Sequence, residues 1–180
     1  DDEESELSYD GKPFATLTDD CRAKKFVLKI DPENGELLAS TYIAEFQFGG
    51  VGFDSNNNLI LNATFSRAQI ASKLEVFMPS GKILDVEFAE GEYDQYRYYI
   101  IALDENLEKR WVYEIGGYDD NGLSGTSMTI LNDTLYLYHV YFGDSINIGT
   151  PLKPEYIYSD DLWSDRLPSA AYVAAYDISG

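Results

Sequence analysis

Residues 73–88 read KLEVFMPSGKILDVEF, in which two runs of alternating apolar residues flank a Pro-Ser-Gly turn. Successive side chains of a β-strand point to opposite faces, so each run predicts a strand with one buried face. Proline, serine and glycine favour the backbone geometry that reverses the chain. The stretch is therefore predicted to be a β-hairpin.

The same outline recurs along the chain. Copies of this first type occupy residues 26–43, 98–115 and, cut short, 172–180. A second type, which opens with glycine and small residues and turns at Asn or Asp, occupies residues 49–65 and 125–142. Residues 6–17 have a similar strand, Asp-Gly turn and strand. The first-type copies start at residues 26, 98 and 172, which are 72 and 74 residues apart.

Two hairpins together make a four-stranded antiparallel sheet, and such sheets arranged radially are the blades of a β-propeller. Residues 49–65 and 73–88 are predicted to form one blade. The stretch GVGFDSNNNLILNATF, followed by KLEVFMPSGKILDVEF, resembles a blade of the NHL-like bacterial propeller repeats. YIIALDENLEKRWVYEI resembles a blade segment of quinoprotein-like propellers. The resemblance covers roughly residues 24–142 and 171–180.

The resemblance implies an all-β chain of β-propeller-like, four-stranded antiparallel blades, with about three blades. Closed propellers have about four to eight blades, so the chain is expected to be a partial or incomplete propeller. A small propeller closed by the N-terminal strands, and a β-sandwich or open sheet, remain alternatives. Residues 1–6 are predicted to be an acidic tail, and residues 7–180 a single repeat domain with a long loop at 143–170.

Composition limits the classes of partner. The formal net charge of -19 disfavours nucleic acid and anionic membranes as partners. The one cysteine, Cys21, excludes an intrachain disulfide and a multi-cysteine metal site, and Asp19 and Asp20 oppose its activation as a nucleophile. Apolar stretches are too short to span a bilayer, and the start carries no leader of Lys or Arg followed by a hydrophobic run, which predicts a soluble chain without a transmembrane segment.

The segment 143–170 is the clearest interruption of the repeat. Connections longer than about 12 to 15 residues in compact domains are usually functional or disordered. Aromatic rings beside carboxylates suit stacking on sugar rings or anchoring a protein partner. An Ω-type loop that only caps the core is the alternative interpretation. The candidate binding residues are Tyr156, Tyr158, Asp160, Asp161, Trp163 and Asp165.

Other candidates are weighed against structural roles. The only histidine, His139, shares a predicted strand face with Leu135 and Leu137, which favours a structural role over that of a catalytic base. The acidic loops at 54–58 and 119–122 place oxygen ligands as calcium loops do, but hairpin turns need the same residues. No catalytic residue, metal or other cofactor is predicted. Two Asn-x-Thr sequons begin at Asn62 and Asn132.

These features predict a non-catalytic, exported binding or scaffold module that recognises a protein or glycan through blade-top loops. A glycan lyase or hydrolase of propeller type is one alternative, and a structural subunit whose C-terminal edge is completed by a partner chain is another. The acidic leader resembles that of Bacteroidetes-type surface lipoproteins. This resemblance implies an extracytoplasmic location, at the cell surface or in the periplasm.

Overall fold

The computed structural model describes residues 5–17, 25–43, 46–66, 73–77, 83–87, 96–115, 124–142, 145–147, 156–158 and 169–178. All regular structure in these ranges is β-strand, which confirms the predicted all-β class. The described part of the chain contains no helix capable of crossing a membrane.

Fifteen strands are assigned in these ranges. They are β1 (Ser5–Tyr9), β2 (Lys12–Leu17), β3 (Lys25–Ile30), β4 (Leu37–Ile43), β5 (Phe46–Phe53), β6 (Leu59–Ser66), β7 (Lys73–Phe77), β8 (Ile83–Glu87), β9 (Tyr96–Leu103), β10 (Lys109–Ile115), β11 (Ser124–Leu131), β12 (Thr134–Phe142), β13 (Ser145–Asn147), β14 (Tyr156–Tyr158) and β15 (Ser169–Asp177). Residues 5 and 6, predicted to belong to the acidic tail, lie in β1.

The predicted hairpins are present, since each of the pairs β1–β2, β3–β4, β5–β6, β7–β8, β9–β10 and β11–β12 is antiparallel. They assemble into a first sheet in the order β3-β4-β7-β8, a central sheet β10-β9-β6-β5 and a third sheet β11-β12-β15. Among the described residues each of these sheets has an edge strand on either side, and the described strands close no barrel or propeller.

The predicted pairing of residues 49–65 with 73–88 in one blade is wrong. Strand β6 pairs with β9 over eight residue pairs, whereas β7 pairs with β4 over two. The reason lies in hydrophobic patterning. The β6 sequence LILNATFS and the β9 sequence YRYYIIAL contain runs of consecutive apolar residues that suit strands covered on both faces. The β7 sequence KLEVF alternates charged and apolar residues, as a strand with one solvated face does.

The central sheet is covered on both faces. Toward the first sheet, Leu61 and Ile101 belong to a buried cluster against which Val27 and Ala39 pack. Toward the third sheet, Ile60, Ile100 and the neighbouring apolar residues form a second cluster with Leu135 and Leu137. All residues from Tyr98 to Leu103 are at most 2% exposed. The central sheet is therefore the middle layer of the stack.

The hairpin β1–β2 lies on the far side of the first sheet. Its Phe14 ring makes an edge contact with Phe26, at 5.5 Å between centroids. Phe26 precedes the core residue Val27, so the two occupy opposite faces of β3. The layers therefore follow the order β1–β2, first sheet, central sheet, third sheet.

Two glycines of β5 set the distance between the central and third sheets. A Cβ atom added to Gly50 would lie 2.9 Å from Met128 Cβ and 3.3 Å from the Met128 backbone nitrogen. One added to Gly52 would lie 2.9 Å from Ile130 Cδ1. Glycine in a strand commonly marks such close backbone approach. The contacts align β11 on β5, at one edge of each sheet.

We predict that Gly50→Ala destabilises the protein by about 2 kcal/mol, because Met128 Cβ and its backbone cannot move without shifting β11. Gly52→Ala is the matched control. Its added Cβ meets Ile130 Cδ1 at 2.9 Å and Cγ1 at 3.3 Å, which belong to a side chain that can rotate and not to the backbone, so we expect a smaller loss of about 1 kcal/mol. Urea denaturation of both variants measures this. Equal losses would contradict the close approach at Gly50.

Candidate functional site

The long segment predicted to bind a ligand leaves and re-enters one sheet at neighbouring positions. Strands β12 and β15 pair over nine consecutive residue pairs, from Thr134↔Asp177 to Phe142↔Ser169. Residues 143–168 therefore form an excursion whose two ends are held together by the last pair of this ladder. The final two residues of the predicted loop, 169 and 170, belong to β15.

Within this excursion lies a short two-stranded ladder, β13–β14, which the sequence pattern did not predict. Tyr156 pairs with Asn147, and Tyr158 pairs with Ser145. Two of the six candidate binding residues thus occupy alternate positions of one strand. The other four, Asp160, Asp161, Trp163 and Asp165, lie outside the described residues.

The outer face of the third sheet is exposed and largely apolar. Tyr136 and Tyr138 of β12 are 37% and 41% exposed, and Val173 of β15 is 69% exposed. Tyr138 lies directly opposite Val173 in the ladder. Strand alternation predicted that Tyr136 and Tyr138 lie on the face opposite to that of His139. The sequence did not predict that this face is exposed.

His139 lies on the inner face of β12 and is completely buried, in agreement with its predicted leucine-lined face. Its ring makes a T-shaped contact with Tyr98 of the central sheet, with centroids 5.5 Å apart. Burial lowers the pKa of His139 from 6.5 to about 4, since an apolar environment disfavours the charged imidazolium. The side chain is neutral near pH 7 and is not accessible to a substrate from solvent.

The first sequon lies inside the same core. Asn62 is 0% exposed, and neither its Nδ2 nor its Oδ1 atom has a hydrogen-bond partner among the described residues. It pairs with Gly50 on one side and Ile100 on the other. By contrast, Asn132 of the second sequon is exposed, in the turn between β11 and β12. Asn132 and Asp133 have φ values of 49° and 55°, which suit a two-residue hairpin turn.

The acidic loop at 54–58, for which turn chemistry was predicted over calcium binding, is built as a turn. One carboxylate oxygen of Asp54, Oδ1, accepts hydrogen bonds from the backbone N–H groups of Asn56 and Asn58. The other, Oδ2, accepts one from Asn58 Nδ2 at 2.6 Å. Asp54 and Asn58 are both buried. The carboxylate therefore holds the reversal of the chain, as turn chemistry predicts.

The loop at 104–108 has the same backbone arrangement. Asp104 Oδ1 accepts from the N–H groups of Asn106 and Glu108, as Asp54 Oδ1 does from residues 56 and 58. Leu107 has a φ of 61° and Asn57 one of 62°. The left-handed region is unusual for leucine, but the Leu107 side chain is buried in the core between the first and central sheets. The hairpins thus repeat a turn as well as a sequence pattern.

These turns are tied to one another across the layers. The backbone N–H of Ser55 donates to Asp133 Oδ1 at 2.7 Å, which links the central and third sheets. Hydrogen bonds from the side chain and backbone of Ser55 hold the pKa of Asp133 below its ordinary value. Lys29 Nζ donates to the carbonyl of Glu105 and so links the first and central sheets. The end of the stack that contains the turns 54–58, 104–108 and 132–133, here called the turn end, is therefore held together by hydrogen bonds between the layers.

Metal-binding chemistry receives no support within the described ranges, where no three His, Cys, Asp or Glu side chains come together in a possible metal site. The second acidic loop, at 119–122, and Cys21 both lie outside the described residues.

We predict that stability falls as the pH falls from 7 to 5, because the unfolded chain protonates His139 below pH 6.5 while the folded chain does so only near pH 4. This group contributes a loss of about 2 kcal/mol over that interval. Urea denaturation at pH 7 and pH 5 measures the free energy of unfolding of the wild type and of His139→Gln. Both proteins contain the same carboxylates, so the difference between their pH dependences reports on His139. Identical pH dependences would contradict the buried neutral histidine.

We also predict that Asp54→Ala lowers the free energy of unfolding by about 2 to 3 kcal/mol, because it leaves buried turn amides without an acceptor. The matched control is Asp31→Ala in the turn between β3 and β4. Asp31 Oδ1 accepts from the Glu33 N–H in an exposed setting, so the expected loss is about 1 kcal/mol or less. Thermal denaturation with and without added calcium distinguishes a turn-forming role of Asp54 from metal binding. If Asp54 bound calcium, added calcium would raise the melting temperature of the wild type.

Comparison with protein-family models, curated proteins and solved structures gives no match. The resemblance to propeller repeats stays an expectation from the sequence motifs.

Proposed function

We propose that the protein is a non-catalytic, exported binding or scaffold module that recognises a protein or glycan through the excursion 143–168. The observation that carries this proposal is the closure of the excursion by the Phe142↔Ser169 pair at the end of an uninterrupted ladder. A segment anchored at both ends on a packed sheet presents its residues with less conformational freedom than a tail does, which favours binding.

The residue types of the excursion suit this role. Tyr156 and Tyr158 lie two residues apart on β14, and Trp163 and three aspartates follow within a few positions. Aromatic side chains combine a large apolar face with few rotatable bonds, and they stack on sugar rings or fill pockets of protein partners. Carboxylates accept hydrogen bonds from hydroxyl groups. The net charge of -19 favours a neutral or basic ligand over a polyanion.

The burial of His139 supports a binding role over the enzymatic alternative. A general base must come within hydrogen-bond reach of its substrate, and a fully buried histidine behind the β12 ladder does not. The pKa near 4 also leaves little driving force for accepting a proton at neutral pH.

The propeller architecture and the extracytoplasmic location are part of the same proposal. Stacked antiparallel sheets built from hairpins are the kind of arrangement that neighbouring blades adopt. The acidic leader and its likeness to surface lipoproteins support export.

We predict that Trp163→Ala and Tyr156→Ala weaken binding to neutral glycans on an array by about tenfold, because each removes a stacking surface. Phe53→Ala is the matched control, since Phe53 is an aromatic residue that is 62% exposed on β5, outside the excursion. It should bind as the wild type does. Turnover of a bound glycan that His139→Ala abolishes would favour the enzyme instead.

A further inference from the structure

We propose that an ordered water molecule is enclosed between the central and third sheets, where it hydrogen-bonds the side-chain amide of Asn62. The site belongs to the interior of the stack, and the strands on both sides of it, β5, β6 and β9 below and β11 and β12 above, are described. It is independent of the excursion 143–168 and of its ligand.

The side chain of Asn62 lies on the face of the central sheet that is turned toward the third sheet. Asn62 is two residues from Ile60, which belongs to the buried cluster on this face, and alternate residues of a strand share a face. Its partner in β9 is Ile100, a member of the same cluster. Asn62 is 0% exposed, so its amide is enclosed in the apolar layer between the two sheets.

The register of the two sheets places a leucine across the layer from Asn62. Gly50, the partner of Asn62 in β5, lies against Met128 of β11, and Met128 pairs with Leu137 of β12. Since β6 is next to β5 and β12 is next to β11, Leu137 lies over Asn62. Leu137 is 0% exposed, and its side chain has no atom that could form a hydrogen bond with the amide.

The amide of Asn62 needs a hydrogen-bonding partner that the neighbouring side chains do not provide. Within the described part of the chain, neither Nδ2 nor Oδ1 of Asn62 has one. Buried polar side-chain atoms in native proteins nearly always bond to a protein group or to an ordered water, because an unsatisfied amide loses its hydration without compensation. A water molecule both donates and accepts, so it can bond to either atom of the amide.

Irregular strand pairing next to Asn62 supplies further partners for a water. The register of β5 on β6 shifts immediately before Gly50, and that of β11 on β12 shifts immediately before Ser127. Gly50 and Met128, which follow these shifts, are in close contact. A bulge leaves backbone N–H and C=O groups outside the regular ladder. Buried waters typically make about three hydrogen bonds, and such groups can complete the set at Asn62.

The close approach of the sheets selects water over a larger or charged ligand. A Cβ atom on Gly50 would already lie 2.9 Å from Met128 Cβ, so the layer beside Asn62 is too thin for an organic molecule. A metal ion would need several anionic or imidazole ligands, and the described residues bring no three His, Cys, Asp or Glu side chains together. One neutral molecule with donors and acceptors fits the amide.

Oxygen-17 magnetic relaxation dispersion of the solvent counts long-lived internal waters in the 180-residue protein. We expect Asn62→Leu, which replaces the amide by an apolar group of similar size, to lower this count by about one molecule. Leu61→Ala is the matched control. Leu61 is 1% exposed on the opposite face of β6, and the apolar cavity that its truncation leaves should stay dry, so the count should not change. The same count in Asn62→Leu and in the wild type would overturn the proposal.

A measurement on the wild type decides the question without any variant, should Asn62→Leu fail to fold. In the nitrogen-15-labelled protein we expect a nuclear Overhauser effect between water and the Asn62 Nδ2 protons, with the sign of a bound water and not of proton exchange. Absence of this effect would overturn the proposal. A scalar coupling across a hydrogen bond from Asn62 Nδ2 to a backbone carbonyl would show that the protein itself satisfies the amide, and would overturn it too.

Discussion

Burial of both faces of β6 and β9 is the interaction on which the arrangement of the other strands depends. A sheet whose middle strands are apolar on both sides needs an apolar layer above it and another below it. The residues Leu59–Ala63 and Tyr98–Leu103 provide these two faces in alternation. The first sheet covers one face and the third sheet covers the other. Each outer sheet is thereby left with one inner face and one outer face.

Local patterns were sufficient to predict the hairpins, because a turn and its two flanking strands are encoded in about seventeen adjacent residues. The association of hairpins was not predictable from those patterns, because every hairpin offers two edges. The consecutive apolar residues YYIIAL in β9 and LILNA in β6 were the available signal that these strands lie together in the centre. Similarity between copies pointed instead to hairpins adjacent in sequence, and that led to the wrong blade.

Some features of the candidate site were likewise predictable from local sequence, and others were not. The position of His139 on the inner face of β12 was predictable from the leucines at positions 135 and 137, because strand alternation is a local property. Strands β13 and β14 have three residues each, which is too short for periodicity to reveal. The 40% exposure of Tyr113 on β10 depends on how many strands the next layer contains. No property of the residues 109–115 alone carries that information.

The turn end and the opposite end of the stack are under different constraints. At the turn end, Asp54 and Asp104 organise equivalent loops, and the buried side chain of Leu107 offsets an unfavourable left-handed backbone. Hydrogen bonds from Lys29 and Ser55 then join neighbouring layers. Residues at this end serve the stability of the fold. The excursion 143–168 emerges from the opposite end, where β12 finishes and β15 begins.

The contrast between the two sequons bears on the choice of a host for producing the protein. A eukaryotic secretory pathway attaches oligosaccharides to Asn-x-Thr sequences in surface segments. Asn132 in its exposed turn can carry such a group, but the fully buried Asn62 cannot do so in the folded chain. A glycan added to Asn62 before folding would keep the central sheet from joining the third. Bacterial expression avoids this conflict, and in a secretory host Thr64 is the position at which to remove the acceptor sequence.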